Sequence, residues 1–430
     1  MILSEPGFGK YFIGTYLLFL LATNTTGQKN FLVIRRVNVV NLFSGKLMIN
    51  REVIIIEDKI YFIGKKYRGK IPSNVIYLDG KGKYLLPGFW DMHFHLCWQK
   101  NNDSLLYPAL LKNGITGIRD MGGDLNIMKA FKSGALPGPG IYGAGPMIDG
   151  DPPVHTDFSL PVNDRSNIKQ VLDSLVENGA DFFKTYSLLK ENELTTIAEY
   201  AKLRHLSFAG HLSEFIDPER SILLGQKSIE HLNRLDEIYE SDSQRLENIA
   251  NLMATNKTFL CPTLLTYQLK TRIYDSTVVN NKYNHYVPAV LKQEWQVLWQ
   301  KRREKNTTAA DMQQLNKTYL AQKNLVNKLF KSGIKILAGS DFAGMPYVYP
   351  GISLHQEIIL LAQAGLSNLE AIKTATLNPA IYFSQQHLYG SVSAGKIADL
   401  VLLNRNPLER IENISTINTV INKGKIVPHY

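Results

Sequence analysis

The stretch LLPGFWDMHFH, residues 85–95, decides how this chain folds. It has the apolar texture of a buried strand and ends in two histidines separated by one residue. Side chains two positions apart on a strand lie on the same face, so the His93 and His95 imidazoles can reach one metal ion. Two packed, hydrogen-bonded histidines explain this short motif equally well, and the rest of the chain has to decide.

The composition is that of an ordinary globular enzyme. Of 430 residues, 44% are apolar and 20% are charged, which suits a large core with a second, smaller unit. The formal net charge is +10, but the basic residues are scattered, with a denser group between Lys292 and Lys331. No nucleic-acid-binding module accompanies this charge. We therefore expect a solvated helix face and no nucleic-acid partner.

The first residues have the pattern of an export signal. Lys10 precedes an apolar run from Tyr11 to Ala22, and small polar residues follow through Gly27. The run is shorter than the ~20 apolar residues that a membrane span needs. We expect residues 1–27 to be a signal peptide, which predicts a periplasmic or secreted protein with no stable membrane anchor after cleavage. An uncleaved anchor is the alternative.

The two ends of the remaining chain resemble each other. β-rich runs at 31–40 and 53–64 have the same texture as those at 400–403 and 419–427, whereas the middle of the chain differs. The simplest arrangement is a β-sandwich domain formed by residues 28–86 and 385–430, beside a central domain at 87–384.

The middle of the chain alternates between strands and helices. The candidate strands end at or near His95, Asp120, Met147, Lys184, His211, His231, Thr263 and Asp341. Eight such repeats predict an α/β fold, a TIM-type (β/α)8 barrel. A helical insertion at about 267–326, with Trp295 and Trp299, exceeds what a strand-to-helix connection requires. It predicts either a lid or a dimer surface, which leaves homo-oligomer formation open.

Polar residues that can bind metal recur at the ends of these strands. They are His93, His95, Lys184, His211, His231 and Asp341. In a barrel these ends meet at one rim, where the chemistry of this fold takes place. A single strand-end histidine often only packs or caps, but six polar residues at one rim predict a metal site.

This set of residues resembles the amidohydrolase superfamily. His-x-His on strand one, lysine on strand four, histidine on strands five and six, and aspartate on strand eight carry the resemblance, together with the tail from Asn378 to Leu408. The chain is most similar to the imidazolonepropionase-like branch, which includes metal-dependent dipeptidases. The resemblance implies hydrolysis of an amide-type C–N bond in a small molecule, namely a dipeptide, an N-acyl amino acid or a cyclic amide.

The resemblance also implies two divalent metal ions. His93 and His95 would hold one ion with Asp341, and His211 with His231 would hold the other. We take the ions to be zinc, although manganese, iron or cobalt would suit the same ligands.

Two of these residues have special roles in the family pattern. An ammonium beside two cations is repelled, so the resemblance implies that Lys184 is N6-carboxylated and bridges both ions. Phe182 and Phe183 would provide the apolar setting that favours the neutral amine. Asp341 would act as general base and acid, taking a proton from a water between the metal ions and delivering it to the departing nitrogen.

One feature indicates a different reaction. His211 and Glu214 have the His-x-x-Glu spacing that resembles the family's mononuclear deaminases, in which the glutamate shuttles protons to a heterocyclic base. The alternative function is therefore a one-metal deaminase with Glu214 as the shuttle. Lys184 favours two metals, because a strand-four lysine has no role in the one-metal scheme.

Further residues are candidate contacts to the substrate. Tyr186 shares a strand face with Lys184, His155 lies in the loop after strand three, and Glu214 follows strand five. Asp91 and Asp120 are expected to orient ligand imidazoles. Glu230 has the opposite parity from His231 and is expected to be structural.

Overall fold

The computed structural model describes residues 30–73, 75–95, 103–135, 138–163 and 165–428. The expected signal peptide at 1–27 lies outside these ranges. Within them, no helix is both long enough and apolar enough to cross a membrane.

The strands fall into an end sheet and a central barrel. In chain order they are β1 Phe31–Val40, β2 Leu47–Ile56, β3 Lys59–Gly64, β4 Ile76–Asp79, β5 Tyr84–Pro87, β6 Phe89–Phe94, β7 Ile115–Asp120, β8 Gly140–Gly143, β9 Met147–Gly150, β10 Ser159–Val162, β11 Phe183–Thr185, β12 Phe208–Gly210, β13 Ser228–Glu230, β14 Phe259–Cys261, β15 Leu400–Leu403, β16 Ile417–Asn422 and β17 Lys425–Ile426.

The helices connect the barrel strands and form the insertion. They are α1 Asp103–Lys112, α2 Leu125–Lys132, α3 Arg165–Glu177, α4 Glu191–Leu203, α5 Pro218–Leu223, α6 Leu235–Ser241, α7 Ser243–Asn256, α8 Leu264–Thr271, α9 Ser276–Val279, α10 Ala289–Lys305, α11 Ala309–Lys331, α12 Ile352–Gln363, α13 Asn368–Thr374 and α14 Leu377–Tyr382, with 3₁₀ helices at Lys282–Tyr286 and Ile411–Ser415.

Both ends of the chain build the end sheet. Its strand order is β17-β16-β15-β5-β1-β2-β3, and β4 pairs with β1. The two ends join where β15 runs antiparallel to β5, with Val401 opposite Leu86. Their buried side chains, among them Ile34, Leu402 and Ile421, share one apolar core. This burial fastens the C-terminal strands to the N-terminal ones.

Eight parallel strand positions close the barrel, and β8 and β9 share the third of them. β6, β7 and β8 form one sheet, and β9, β11, β12, β13 and β14 lie in another, with β10 outside β9. The sheets meet where the Asp181 amide donates to the Gly143 carbonyl at 2.8 Å. On the other side, residues 336–342 lie between β14 and β6: the Leu337 amide donates to Leu260, and the Met92 amide to Ala338.

Two predicted strands differ from the simple pattern. Strand three is divided into β8 and β9, because the chain turns at Gly145, whose φ is +72°. Strand eight, predicted to end at Asp341, has isolated bridges in place of a continuous ladder. Side chains bind backbone groups that the missing ladder leaves without partners. The Ser340 amide donates to the Asp91 carboxylate at 2.9 Å, and the Met92 carbonyl accepts from Arg119 Nε at 2.6 Å.

The segment 267–326, predicted as a helical insertion, contains α9, α10 and most of α11. Trp295 and Trp299 are buried, and the Trp299 indole packs against Tyr347, in the loop after Asp341, with ring centroids 5.0 Å apart. Trp299 Nε1 donates to the Ile273 carbonyl at 3.1 Å. The insertion therefore covers the loop after strand eight within the same chain.

Truncating Trp299 tests this anchoring. We expect Trp299→Ala to lower the free energy of unfolding by about 3–5 kcal/mol, because it leaves a cavity and removes a hydrogen bond. Urea unfolding followed by circular dichroism measures the change. Leu298→Ala is the matched control, since Leu298 is 47% exposed on the same helix. A loss for Trp299→Ala no larger than that of the control would contradict the anchoring role.

Candidate metal centre

The barrel brings the predicted ligands to one rim. His93 lies near the end of β6 and Lys184 lies within β11, whereas His211 and His231 directly follow β12 and β13. Asp341 ends the bridging segment of strand eight, where its amide donates to the His93 carbonyl at 2.7 Å. Because the strands are parallel, their carboxyl ends face the same way and the side chains converge.

The distances within the cluster suit metal coordination. Asp341 Oδ1 lies 3.5 Å from His93 Nε2 and 3.4 Å from His95 Nε2. Potential ligand atoms of His93, His231 and Asp341 all lie within 4.8 Å of one another. The ring of His211 is 4.8 Å from that of His231 between centroids. The structure thus places the predicted histidines and Asp341 side by side.

Three imidazoles are held through the same ring nitrogen. Nδ1 of His93 lies 2.8 Å from Glu230 Oε2, and Nδ1 of His231 lies 2.6 Å from Thr263 Oγ1. Nδ1 of His211 lies 3.1 Å from Ser187 Oγ. Nε2 of His93 is buried and has no hydrogen-bond partner among the described residues. With Nδ1 committed, Nε2 of each ring is left to coordinate an ion, which is the usual arrangement around metal-binding histidines.

Glu230 is itself fixed by a buried ion pair. Arg119 Nη2 donates to Glu230 Oε1 at 2.7 Å, and both side chains are fully buried. Arg119 Nη1 donates to Ser228 Oγ at 2.8 Å. Burial lowers the pKa of Arg119, but the Glu230 carboxylate outweighs it, so the guanidinium stays charged. This pair locks the carboxylate that orients His93.

Strand parity predicts a purely structural role for Glu230, and this prediction is wrong, because its carboxylate orients the His93 imidazole. Parity assumes an extended backbone, but His231 has φ of +66° and leaves the strand in the left-handed region. Both neighbours can then face the barrel interior. Thr263 and Ser187, the partners of the other two imidazoles, also belong to no recognisable motif. Their only sequence signal is their place at the ends of strands seven and four.

Lys184 lies in a setting that suits a neutral amine. It is fully buried, and its Nζ makes no hydrogen bond within the described chain. Phe182 and Phe183 beside it are also fully buried. Burial lowers the pKa of Lys184 to about 8, although Glu230 opposes the shift.

The acid–base states of the other residues also favour metal binding. Burial lowers the pKa of His93 and His211 well below the ordinary value and that of His231 to about 4, so all three are neutral at pH 7. Burial alone would raise the pKa of Asp341, but the imidazoles of His231, His95 and His93 lower it below its usual range. Neutral imidazoles and an ionised carboxylate are the forms that coordinate metals.

The candidate substrate contacts divide into two groups. Tyr186 lies at the centre, with its ring 4.0 Å from that of His211 and its hydroxyl 3.1 Å from His155 Nε2. Glu214 is exposed and lines an open cavity of about 740 Å³ together with Ser187 and Glu240. Within the described residues, its carboxylate forms no hydrogen bond or ion pair with the imidazoles.

Asp91 has a different partner from the one expected. Its Oδ1 accepts from the Ser340 and His93 amides at 2.9 and 3.3 Å, so it joins strand eight to strand one instead of orienting an imidazole. Asp120 is buried at the end of β7.

A second group of potential ligands consists of His93, Glu230 and Cys261. Burial raises the pKa of the Cys261 thiol well above its ordinary value, so the thiol stays protonated. Because Glu230 is paired with Arg119, this group is a structural cluster.

A closed barrel of parallel strands, an end sheet and a rim of imidazoles around a carboxylate define a barrel protein with a candidate metal centre. The model of the amidohydrolase family matches residues 84–427. The chain belongs to this family, whose members are hydrolases of carbon–nitrogen bonds and bind divalent metals. The resemblance stated from the strand-end residues is thereby confirmed.

Curated relatives match a short part of the chain. Adenine deaminase of Clostridium perfringens is 32% identical over 87 residues, which are 20% of this chain and 15% of that protein. A probable imidazolonepropionase of Homo sapiens is 28% identical over 106 residues, 23% of this chain and 24% of that protein. The matches thus span less than a quarter of these relatives.

Solved structures match nearly the whole fold. A prolidase complexed with N-methylphosphonate-L-proline has a TM-score of 0.72 and 22% identity, covering 92% of this chain and 99% of its own. A putative prolidase from Bifidobacterium longum has a TM-score of 0.73 and 20% identity, covering 92% of this chain and 94% of its own. The predicted barrel with a β-domain from both chain ends is confirmed.

Glu230→Gln tests how the centre is held. It removes the charge that pairs with buried Arg119 and weakens the acceptor for His93. We expect metal affinity to fall about 10–100-fold and stability to fall by about 3–5 kcal/mol. Competition with a chelator and urea unfolding measure the two effects.

Two further variants complete this test. Glu247→Gln, at an exposed position of α7, is the control and should change neither quantity. Ser228→Ala removes one hydroxyl from the same network and should have a milder effect, which remains measurable if Glu230→Gln does not fold. Unchanged metal affinity in both buried variants would contradict the orienting role.

Proposed function

We propose that this protein is a binuclear metal-dependent amidohydrolase that cleaves the amide bond of a dipeptide. The observation that carries the proposal is Lys184, a buried amine that makes no hydrogen bond to any residue the structure describes. It lies among neutral imidazoles whose Nε2 atoms are left to coordinate metal. The similarity to structures described as prolidases supports a dipeptide over an N-acyl amino acid or a cyclic amide. Because of the expected signal peptide, we place the reaction in the periplasm or outside the cell.

The residues present fit two divalent ions, for which zinc is our choice. One ion would be held by His93, His95 and Asp341, and the other would be held by His211 and His231. These residues offer nitrogen and oxygen donors, which zinc commonly binds. Bound ions would lower the pKa of water and polarise the substrate carbonyl.

Lys184 would complete the ligand set. Its neutral amine would attack carbon dioxide, form a C–N bond and lose one proton, which leaves an N6-carboxylate. The pKa of about 8 makes a useful fraction of the amine neutral near physiological pH. A carboxylate at this position would supply negative charge beside the two cations.

Asp341 is the residue best placed to move protons. One of its oxygens lies within 3.5 Å of two ligand imidazoles, so it reaches the centre of the site. Its low pKa keeps the carboxylate ionised at neutral pH, which is the form that can accept a proton. It would then deliver this proton to the departing nitrogen.

Tyr186 and His155 would hold the substrate. Their direct contact joins the loop after strand three to strand four, and Tyr186 packs on the ligand His211. The hydroxyl is thus positioned to donate to a carbonyl or carboxylate oxygen beside the metals. Burial raises the pKa of Tyr186, so this hydroxyl stays protonated as a donor.

The second candidate is a mononuclear deaminase of a heterocyclic base. The match to adenine deaminase favours it, although it covers 20% of the chain. The exposed position of Glu214, in a cavity beside the imidazoles, speaks against the proton shuttle that this reaction requires.

Lys184→Ala and Glu214→Gln separate the two functions. If the protein is the proposed hydrolase, we expect Lys184→Ala to abolish cleavage of Xaa-Pro dipeptides. We also expect this variant to bind fewer than two metal ions per chain. Glu214→Gln should remain active, as should the control Glu240→Gln, which lines the same cavity. Elemental analysis and amino-acid release measure these effects. Ammonia released from adenine, with Glu214→Gln inactive and Lys184→Ala active, would establish the deaminase instead.

Asp341→Asn tests proton transfer. The amide oxygen can still face the metals, but it cannot accept the proton at neutral pH. We expect kcat to fall about 10²–10⁴-fold, with the metals and the fold retained, as judged by elemental analysis and circular dichroism. Wild-type turnover in a metal-loaded Asp341→Asn protein would show that another group moves the proton.

A further inference from the structure

Two cationic side chains near the barrel mouth lack an acidic partner. Lys270 lies on α8 and Arg302 lies on α10 of the insertion, and both are partly buried. Neither forms an ion pair or a side-chain hydrogen bond within the described part of the chain. A partly buried cation without a counter-charge is costly, and such a group is commonly used to bind an anion.

Lys270 stands next to the loop that carries a ligand histidine. Its Nζ lies 4.8 Å above the centre of the Tyr267 ring. The Tyr267 hydroxyl accepts from the Leu232 amide and donates to Asn233 Oδ1, both at 2.9 Å. Leu232 directly follows His231. These contacts hold the ammonium beside the end of strand six.

The start of α8 is equally well fixed. Buried Glu357 accepts hydrogen bonds from the first two amides of this helix, Leu264 and Leu265, at 2.9 and 2.8 Å. The preceding residue, Thr263, bonds the His231 imidazole. Lys270 therefore projects from a helix that is attached directly to the metal centre.

Arg302 lies on α10, which packs against the end of α8. Trp299 and Arg303 both donate to the Ile273 carbonyl, at 3.1 and 2.8 Å, and so fix α10 over the end of α8. Burial lowers the pKa of Arg302, and the charge that raises it is the Asp341 carboxylate. The guanidinium is therefore close enough to the site for the Asp341 charge to act on it.

The two cations also act on each other. Burial and then Arg302 lower the pKa of Lys270, while Asp341 and Asp236 raise it. Of these two carboxylates, Asp236 accepts from Gln322 at 2.7 Å and Asp341 belongs to the metal centre. An anion between Lys270 and Arg302 would relieve their repulsion.

We propose that Lys270 and Arg302 bind a carboxylate of the substrate, so that the enzyme prefers dipeptides with an acidic residue. This inference rests on the proposed function. α8 and α10 follow strand seven, which lies across an eight-stranded barrel from strand three and the loop of His155. One end of the substrate lies against Tyr186 and His155, the scissile bond lies at the metal centre, and the acidic side chain extends to the two cations.

Paired substrates test the proposal in the metal-loaded enzyme. Glu-Pro and Gln-Pro have nearly the same shape but differ in one charge. We expect wild-type kcat/KM to favour Glu-Pro, and Lys270→Met and Arg302→Met each to lower it for Glu-Pro by about tenfold or more. Hydrolysis of Gln-Pro should change little. Lys301→Met is the matched control, because Lys301 is exposed on the same helix.

The outcomes separate this proposal from the proposed function. Equal kcat/KM for the two dipeptides in the wild type, or equal losses for both in the variants, overturns the carboxylate site. If neither dipeptide is hydrolysed, the proposed dipeptidase function fails. Calorimetric binding of the same two compounds then tests whether the carboxylate site exists. Tighter binding of Glu-Pro that is lost in Lys270→Met and Arg302→Met supports the site, and equal affinities overturn it.

Discussion

The buried pair of Arg119 and Glu230 is the interaction on which the centre of this barrel depends. Glu230 Oε1 binds the guanidinium and Oε2 binds the His93 imidazole, so one carboxylate joins strands two, six and one. Arg119 also donates to the Met92 carbonyl, where strand eight would otherwise form its ladder. Removing either charge would leave the other buried and unpaired, which costs far more than the pair contributes.

The same network explains why the rim is ready to bind metal. Each of three imidazoles has a polar partner at Nδ1, and these partners come from neighbouring elements: Glu230, Thr263 and Ser187. Rotation of the rings would break these bonds, so the opposite nitrogens stay directed inward. The protein itself therefore orients the ligand imidazoles. The insertion, which is anchored through Trp299, adds the positive charge of Arg302.

Much of the site could be predicted from the sequence. The carboxyl ends of all strands in a closed parallel barrel lie at one rim, so His93, His211, His231 and Asp341 could be placed together without coordinates. Glu230 could not, because His231 leaves the extended conformation and the alternation of faces no longer applies. Nor could Lys270 and Arg302, which belong to helices whose packing depends on contacts far apart in the sequence.

The sequence alone determined the architecture and the identity of the strand-end residues, because the order of strands and helices is local and the periodicity of side chains follows from backbone geometry. Only the tertiary structure decided which residues hold those side chains in place. Glu230 and His93 are 137 positions apart, and Leu264 and Glu357 are 93 apart. Such partners are chosen by three-dimensional packing, which no local pattern encodes.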